Sequence, residues 1–396
     1  MHLNTNARFS LLMLILLVVL TAYAGCGGRD LLGDIEDTLR GWFGPRTERT
    51  KFRRQLAKSD TVSERTLALW DTAYAIAKTT PLRTELPHRE VIYLDGALPL
   101  SAQAVRFTLP PGRRLRVRYL TEADAATAPL FGELYRLTDG RTGERPRASW
   151  SAAAPEITYR TADPARGEEL LLLVQTAPRA VARYELQLLT EPTIAFPVAG
   201  KDEAAIQSFW GAPRDGGRRK HEGNDVFAPR GTDLLAVAEG TVSRTGNGGL
   251  GGKTVWLRDP DTGLRYYYAH LDEQRVSRGQ YVSRGQVVGT VGNTGNARTT
   301  PPHLHFGIYA GGAIDPYPFL QRADDLPPPS PLPLRRPAQD FRVPARGNHF
   351  LRLSPARDGF RVRRLDNGAA VRLLGVSGRF YRVETGRGEI GYVNFD

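Results

Sequence analysis

Residues 303–309 read His303-Leu304-His305-Phe306-Gly307-Ile308-Tyr309. On a strand, side chains two apart point to the same face, so His303 and His305 can enter one cavity together. The apolar run Phe306-Gly307-Ile308-Tyr309 continues the pair as a strand. Seven histidines in 396 residues would give such an HxH about 0.1 times by chance. Working outward, His270 stands in Tyr266-Tyr267-Tyr268-Ala269-His270-Leu271. Further upstream lies His221-Glu222-Gly223-Asn224-Asp225. That HxxxD spacing is weak alone, with about 0.4 expected by chance. Four of the seven histidines thus fall within residues 194–322, while His2, His88 and His349 are scattered.

Two imidazoles and a carboxylate are the borderline-soft donors that suit zinc, and three protein ligands leave a fourth position for water. Zinc acidifies water and polarises a carbonyl. A further histidine within reach can take the water's proton or stabilise an oxyanion. Four histidines and one aspartate therefore suffice for three ligands and two catalytic partners. Any one of these histidines alone reads as an ordinary core or surface residue. The ordered set points to a metal site.

Composition sets the frame. At about 150 residues per domain, 396 residues imply two to four folded units. Hydrophobic residues at 41% and charged residues at 24% exclude a wholly disordered chain. Abundant Gly (41) and Pro (28) with only two Met favour turn-rich β architecture. The net charge of +12 suits a polyanionic partner: nucleic acid, anionic lipid or an acidic wall polymer. The single cysteine, Cys26, excludes an intramolecular disulfide and a cysteine-cluster metal site.

The N-terminus favours the last two partners. Arg8 precedes an apolar run from Phe9 to Leu20, short for a membrane span, and small residues Ala24 and Gly25 lead to Cys26. This resembles a bacterial lipobox with Tyr23 where Leu is usual, which would make Cys26 the lipidated mature N-terminus. A plain signal peptide or an uncleaved anchor are the other readings. All three export the chain, giving a cell-envelope location and leaving no nucleic acid partner, and the lipobox reading adds a membrane lipid anchor.

The pattern then divides as follows. Residues 1–25 are the export signal and 26–46 a tether. Residues 47–87 are helical, with Phe52, Leu56, Leu67, Trp70, Tyr74 and Ala77 at helical spacing and Thr61 and Glu64 as a capping box. Residues 88–193 alternate as in a β-sandwich, Leu115, Val117 and Tyr119 against Arg114, Arg116 and Arg118. Residues 194–323 hold the histidine set, 324–340 are a Pro-rich, stiff linker, and 341–396 read as a small barrel. The expected fold class is mainly β. An antiparallel catalytic core is preceded by short helices and a β-sandwich and followed by the barrel.

The stretch from Phe209-Trp210-Gly211 to Asp315-Pro316 closely resembles the lysostaphin-type (LytM-like) zinc endopeptidase domain, whose members cut peptide bonds in bacterial peptidoglycan. The matches are His221-xxx-Asp225, Gly231-Thr232, Glu239-Gly240-Thr241-Val242, Tyr268-Ala269-His270-Leu271, Gly292-Asn293-Thr294-Gly295 and His303-Leu304-His305-Phe306. The resemblance implies that His221, Asp225 and His305 ligate Zn2+, that His303 is the general base, and that His270 stabilises the oxyanion. Asn224 and Asp233 depart from the family pattern, where an apolar residue and Pro are usual. Residues 349–396 resemble a bacterial SH3-like domain, with Phe380-Tyr381 where Trp is common. The implied function is a zinc metalloendopeptidase of peptidoglycan. The alternative is a non-catalytic relative that activates cell-wall amidases or scaffolds wall remodelling, and such relatives typically lack several of the five residues kept here. A third reading is a wall-binding anchor whose sandwich and barrel carry the function.

Two other signals are set aside. Asn247-Gly-Gly-Leu-Gly-Gly-Lys253-Thr254 imitates a phosphate loop but lies between strand-like segments, which predicts a glycine hairpin. The basic run Arg214, Arg218, Arg219, Lys220 reads as a solvated loop, or as a patch that attracts acidic wall peptides.

Overall fold

The computed structural model describes residues 47–96, 101–121, 129–143, 146–150, 156–161, 163–333 and 341–395. The expected signal, Cys26, the tether and linker residues 334–340 lie outside the described residues. The chain divides into Met1–Lys51, of which only 47–51 are described, and Phe52–Asp396, which holds everything discussed below except the first turn of the opening helix.

The fold is mainly β, built from antiparallel sheets. Two helices, Glu48–Leu56 and Glu64–Thr79, open it. Ser63 rather than Thr61 caps the second helix, its hydroxyl accepting from the Thr66 amide at 3.3 Å. The apolar stripe of that helix is buried: Ala73 and Ala77 pack on Ala102, Ala104, Tyr135, Leu171 and Leu173 of the sheet beneath. The Trp70 indole donates to the Thr176 carbonyl at 2.7 Å, so its one polar atom is satisfied where it is buried.

That sheet is one face of a sandwich formed by Ala102–Leu109, Glu168–Thr176 and Leu130–Thr138. The facing sheet contains His88–Asp95, Val181–Pro192, Arg113–Thr121 and Glu156–Arg160. Leu115, Val117 and Tyr119 point into the shared core while their arginine neighbours face out, as a period of two requires.

The C-terminal strands are not a separate body at the end of a free linker. Strand Ala370–Ser377 pairs with His88–Asp95 in the register Val91 with Val376 and Ile92 with Gly375. The sandwich sheet therefore continues into the last 50 or so residues as one ten-stranded sheet among the described residues. A buried cluster spans the seam: Arg382 lies 3.4 Å from Glu90, and His88 and the Tyr392 hydroxyl bond the other Glu90 oxygen at 3.1 and 3.0 Å. The start of the Pro-rich segment is docked as well, since Asp324 accepts from the Thr190 amide and hydroxyl at 2.8 Å and from Arg113 at 3.2 Å.

Between these parts in sequence lies a separate sheet with its own core. Its strand order is Ile206–Ser208, Asn224–Phe227, His303–Ala310, Arg265–Leu271, Gly252–Arg258, Gly240–Gly248 and Tyr281–Val282, all antiparallel. Val226, Leu304, Phe306, Ile308, Tyr266 and Tyr268 fill the core face and leave the opposite face for the cleft.

Candidate metal centre

Strand pairing brings the distant motifs together. Asp225 lies directly opposite His305, and Phe227 opposite His303, across adjacent strands. Leu304 and Phe306 alternate into the core, so His303 and His305 both face the cleft. His221 is delivered by the loop before its strand. Gly223 is what permits the approach: a Cβ there would stand 2.5 Å from the Phe306 carbonyl oxygen and 2.7 Å from the His305 ring.

His270 arrives differently. Tyr266 and Tyr268 point into the core, and strict alternation would send His270 after them. The pairing instead shifts between Lys253 and Val255, so that Ala269 and His270 together oppose Thr254. At this bulge His270 takes φ +65°, a left-handed conformation uncommon for a residue with a side chain, and its ring turns to the cleft. The strained backbone is held by the His270 amide donating to the Gly251 carbonyl at 2.8 Å.

Three atoms then converge. His221 Nε2 is 3.0 Å from Asp225 Oδ1 and 2.9 Å from His305 Nδ1, which is itself 3.0 Å from Asp225 Oδ1. His221 Nδ1 lies 2.9 Å from the Phe209 carbonyl. A carbonyl only accepts, so Nδ1 carries the proton and Nε2 of the neutral ring is a bare lone pair. Lone pairs aimed at one point are what a cation satisfies. Tetrahedral zinc with bonds near 2.0–2.1 Å has ligand edges of about 3.3 Å, close to this triangle. The residues fit the metal, and they form a possible metal-holding group among the described residues.

His303 Nδ1 donates to the Pro301 carbonyl and His270 Nδ1 to the Thr294 carbonyl, both at 2.9 Å. Each neutral ring therefore keeps Nε2 as a proton acceptor. Burial first, then the nearby His305 and His303, pushes His270 down to about 4, against the pull of the Thr294 carbonyl. His305 is also lowered, by burial above all, with Asp225 opposing. Burial alone would raise the Asp225 carboxyl, but hydrogen bonds and charge from His221 and His305 outweigh it and hold the group well below the usual carboxylate range. The ring of Phe227 stacks on His303 at 4.9 Å, and Tyr267 meets His305 edge-on at 5.9 Å.

The structure places all five residues on one cleft, and sequence reasoning missed what supports them. Arg214, read as part of a solvated loop or of a patch that attracts acidic wall peptides, donates to Asp225 Oδ2 at 2.8 Å and to the Ser208 hydroxyl at 2.6 Å. The buried Asn224 accepts from the Trp210 amide at 2.9 Å, which accounts for a polar residue at an otherwise apolar place. The signal for Arg214 was its position in a basic run beside a candidate ligand, with no period to mark it. Asp233 makes an exposed pair with Arg275 at 3.0 Å, away from the ligands. The site lines an open cleft of 550 Å³, and the described residues that line it all fall between Ser208 and Tyr309.

Residues 219–316 match the family model of Peptidase family M23. Over 140 residues the chain is 37% identical to the L-Ala--D-Glu endopeptidase of Bacillus subtilis, covering 32% of this chain and 43% of that protein. Over 100 residues it is 36% identical to the peptidoglycan DD-endopeptidase ShyC of Vibrio cholerae, covering 25% of this chain and 22% of that protein. The chain thus spans less than half the length of these relatives. Among solved structures, the catalytic domain of lysostaphin from Staphylococcus simulans is 33% identical, with a TM-score of 0.26, covering 29% of this chain and 90% of that one. Residues 219–316, which contain every residue of the converging site, therefore form a domain of peptidase family M23.

Proposed function

We propose that this chain is a zinc-dependent endopeptidase that hydrolyses peptide bonds in bacterial peptidoglycan. The observation that carries the reading is the triangle of His221 Nε2, Asp225 Oδ1 and His305 Nδ1, with two more histidines on the same cleft. The substrate class rests on the relatives, two of which are named as endopeptidases of bonds or polymers of that kind. Zinc held by the triangle supplies a Lewis acid that polarises a peptide carbonyl and lowers the pKa of water.

The chain's own groups handle the protons. His303, fixed as the Nδ1 tautomer by Pro301, accepts a proton at Nε2 as the water oxygen adds to the carbonyl carbon. The same proton passes to the departing amine as the C–N bond breaks. His270 rests neutral because of burial. As negative charge grows on the carbonyl oxygen, the ring takes up a proton from water in the open cleft, and the Nε2–H so formed donates to that oxygen until the carbonyl re-forms and the proton returns to solvent. Residues 1–25 export the chain, with Cys26 as the lipidated anchor, and the SH3-like resemblance of 349–396 supports contact with the wall.

The test separates ligand from base. His303→Ala is expected to keep zinc at wild-type stoichiometry and to lose at least about a hundredfold in hydrolysis of soluble cross-linked peptides. Metal loss equal to that of His305→Ala would contradict the assignment of His303.

A further inference from the structure

The cleft face of the central sheet carries more than the metal site. Strand Gly252–Arg258 sends Val255 and Leu257 into the core, which leaves Trp256 on the other face. Arg265–Leu271 buries Tyr266 and Tyr268 and leaves Tyr267 out by the same period. In His303–Ala310 the positions that follow His305 on this face are Gly307 and Tyr309. The register sets Trp256 opposite Tyr267 and Tyr267 opposite Gly307, one row across three strands. The glycine leaves room for a fourth member. A Cβ at Gly307 would crowd the Tyr309 ring at 3.0 Å, and in its absence that ring lies over the row and reaches Trp256, the centroids 4.9 Å apart.

Trp256 and Tyr267 pack at 4.4 Å, and Tyr267 meets Tyr309 edge-on at 6.4 Å. All three side chains are only half-buried. Each ends in a polar atom, an indole N–H or a phenol hydroxyl, and none of the three has a hydrogen-bond partner among the described residues. A buried Trp or Tyr usually finds such a partner, as Trp70 does beneath its helix. These three tips face water instead. The row is continuous with the cleft: Tyr267 and Tyr309 line it, and Trp256 carries the aromatic surface one strand further out. Exposed Arg244 stands opposite Trp256 and exposed Arg265 opposite Tyr309, so donors rim the rings. Such a surface suits a ligand that is apolar on one face and hydroxylated at its edge. A pyranose is one: its C–H bonds present weak positive charge to the negative ring faces, and its hydroxyls can pair with the tips and the rim. A wholly apolar partner would bury the three tips unpaired, at a cost that a sugar avoids.

We infer that Trp256, Tyr267 and Tyr309 form a sugar-binding shelf, on which a pyranose of a glycan strand stacks while the peptide attached to that strand enters the metal cleft. The ligand class is a neutral hexopyranose oligomer, held outside the metal ligands and the two catalytic histidines. The inference deepens the endopeptidase reading and rests on it for hydrolysis, though not for binding.

The test uses a soluble N-acetylglucosamine tetramer and one cross-linked peptide made with and without an attached N-acetylated disaccharide. Tetramer binding to the zinc-loaded full chain is measured by calorimetry. Trp256→Ala should weaken it about fivefold or more, the worth of one ring-face contact, and Trp256→Phe, which keeps a ring, should weaken it less. The tetramer should also change the indole fluorescence of the wild type and not that of Trp256→Phe, a readout that stands even where Trp256→Ala folds poorly. In hydrolysis, the wild type should prefer the sugar-bearing peptide by about fivefold through KM, and Trp256→Ala should lose that preference. Absence of tetramer binding, binding indifferent to Trp256, a wild type that hydrolyses both peptides equally well, or a variant that loses the same factor on both would overturn the inference. Tetramer binding that depends on Trp256, with no hydrolysis of either peptide, would uphold it and overturn the endopeptidase reading instead.

Discussion

Arg214 shows how much of a metal site lies one contact beyond its ligands. By holding Asp225 Oδ2, it leaves Oδ1 aimed at the two imidazoles and supplies a fixed positive charge behind the carboxylate. Arg214→Ala is therefore expected to weaken zinc binding by about 10–100-fold in competition with a chelator. Arg214→Lys should recover part of the loss, because an ammonium can still reach one oxygen. Unchanged affinity would show that Asp225 is positioned by its strand alone. His270 carries a second consequence at this scale. Its folded pKa of about 4 lies below the ordinary histidine value, so between about 6.5 and 4 the unfolded chain binds more protons. Stability of the metal-free chain should be independent of this group above about pH 6.5 and fall as pH drops toward 4. Urea unfolding at pH 7 and pH 5 with chelator present checks this. His270→Gln should flatten the slope, and an identical slope in the variant would assign it elsewhere.

At the scale of elements, the site depends on one regular feature and one irregular one. The regular feature is the cross-strand pair of Asp225 and His305, with His303 two residues from His305. The shared face of His303 and His305 was legible because a period of two is a property of any strand, whereas the placement of Asp225 opposite His305 was not. The irregular one is the bulge at Ala269–His270, which no periodicity announces, since alternation from Tyr266 and Tyr268 would bury His270. Only the resemblance to a known motif placed it. The glycine hairpin was legible as a turn, but its role in holding His270 was not, because that role is a single backbone hydrogen bond from Gly251. A Cβ at Gly251 would fall 2.1 Å from the Tyr267 hydroxyl. Gly251→Ala should therefore displace the hairpin, keep zinc, and lower kcat more than it raises KM. Wild-type kcat in that variant would show that the bulge holds itself.

The whole molecule ties its parts more closely than its sequence divides them. Pro-rich composition marked a linker and alternation marked a terminal barrel, and both features are local. The pairing of Val91 with Val376 and the ion pair of Glu90 with Arg382 join residues nearly 300 apart, and nothing in either segment signals the other. Arg382 and Glu90 are fully buried at that seam. Truncating the arginine leaves a buried carboxylate unpaired, so Arg382→Ala should cost about 3–5 kcal/mol in unfolding experiments. Removing residues 341–396 should destabilise the sandwich instead of freeing a separable wall-binding module. A deletion variant that melts like the full chain would contradict this.

The cleft, by contrast, is lined among the described residues only by the segment from Ser208 to Tyr309, and no described residue of the flanking parts lines this open cleft. The most direct measurement follows from that openness. Isolated sacculi are incubated with the zinc-loaded chain or its Asp225→Ala variant, and released peptides are identified by mass spectrometry. The expected result is zinc-dependent release of peptides cut at one defined bond, abolished in the variant. Stoichiometric zinc with no released peptide would contradict the assignment of this chain as an endopeptidase.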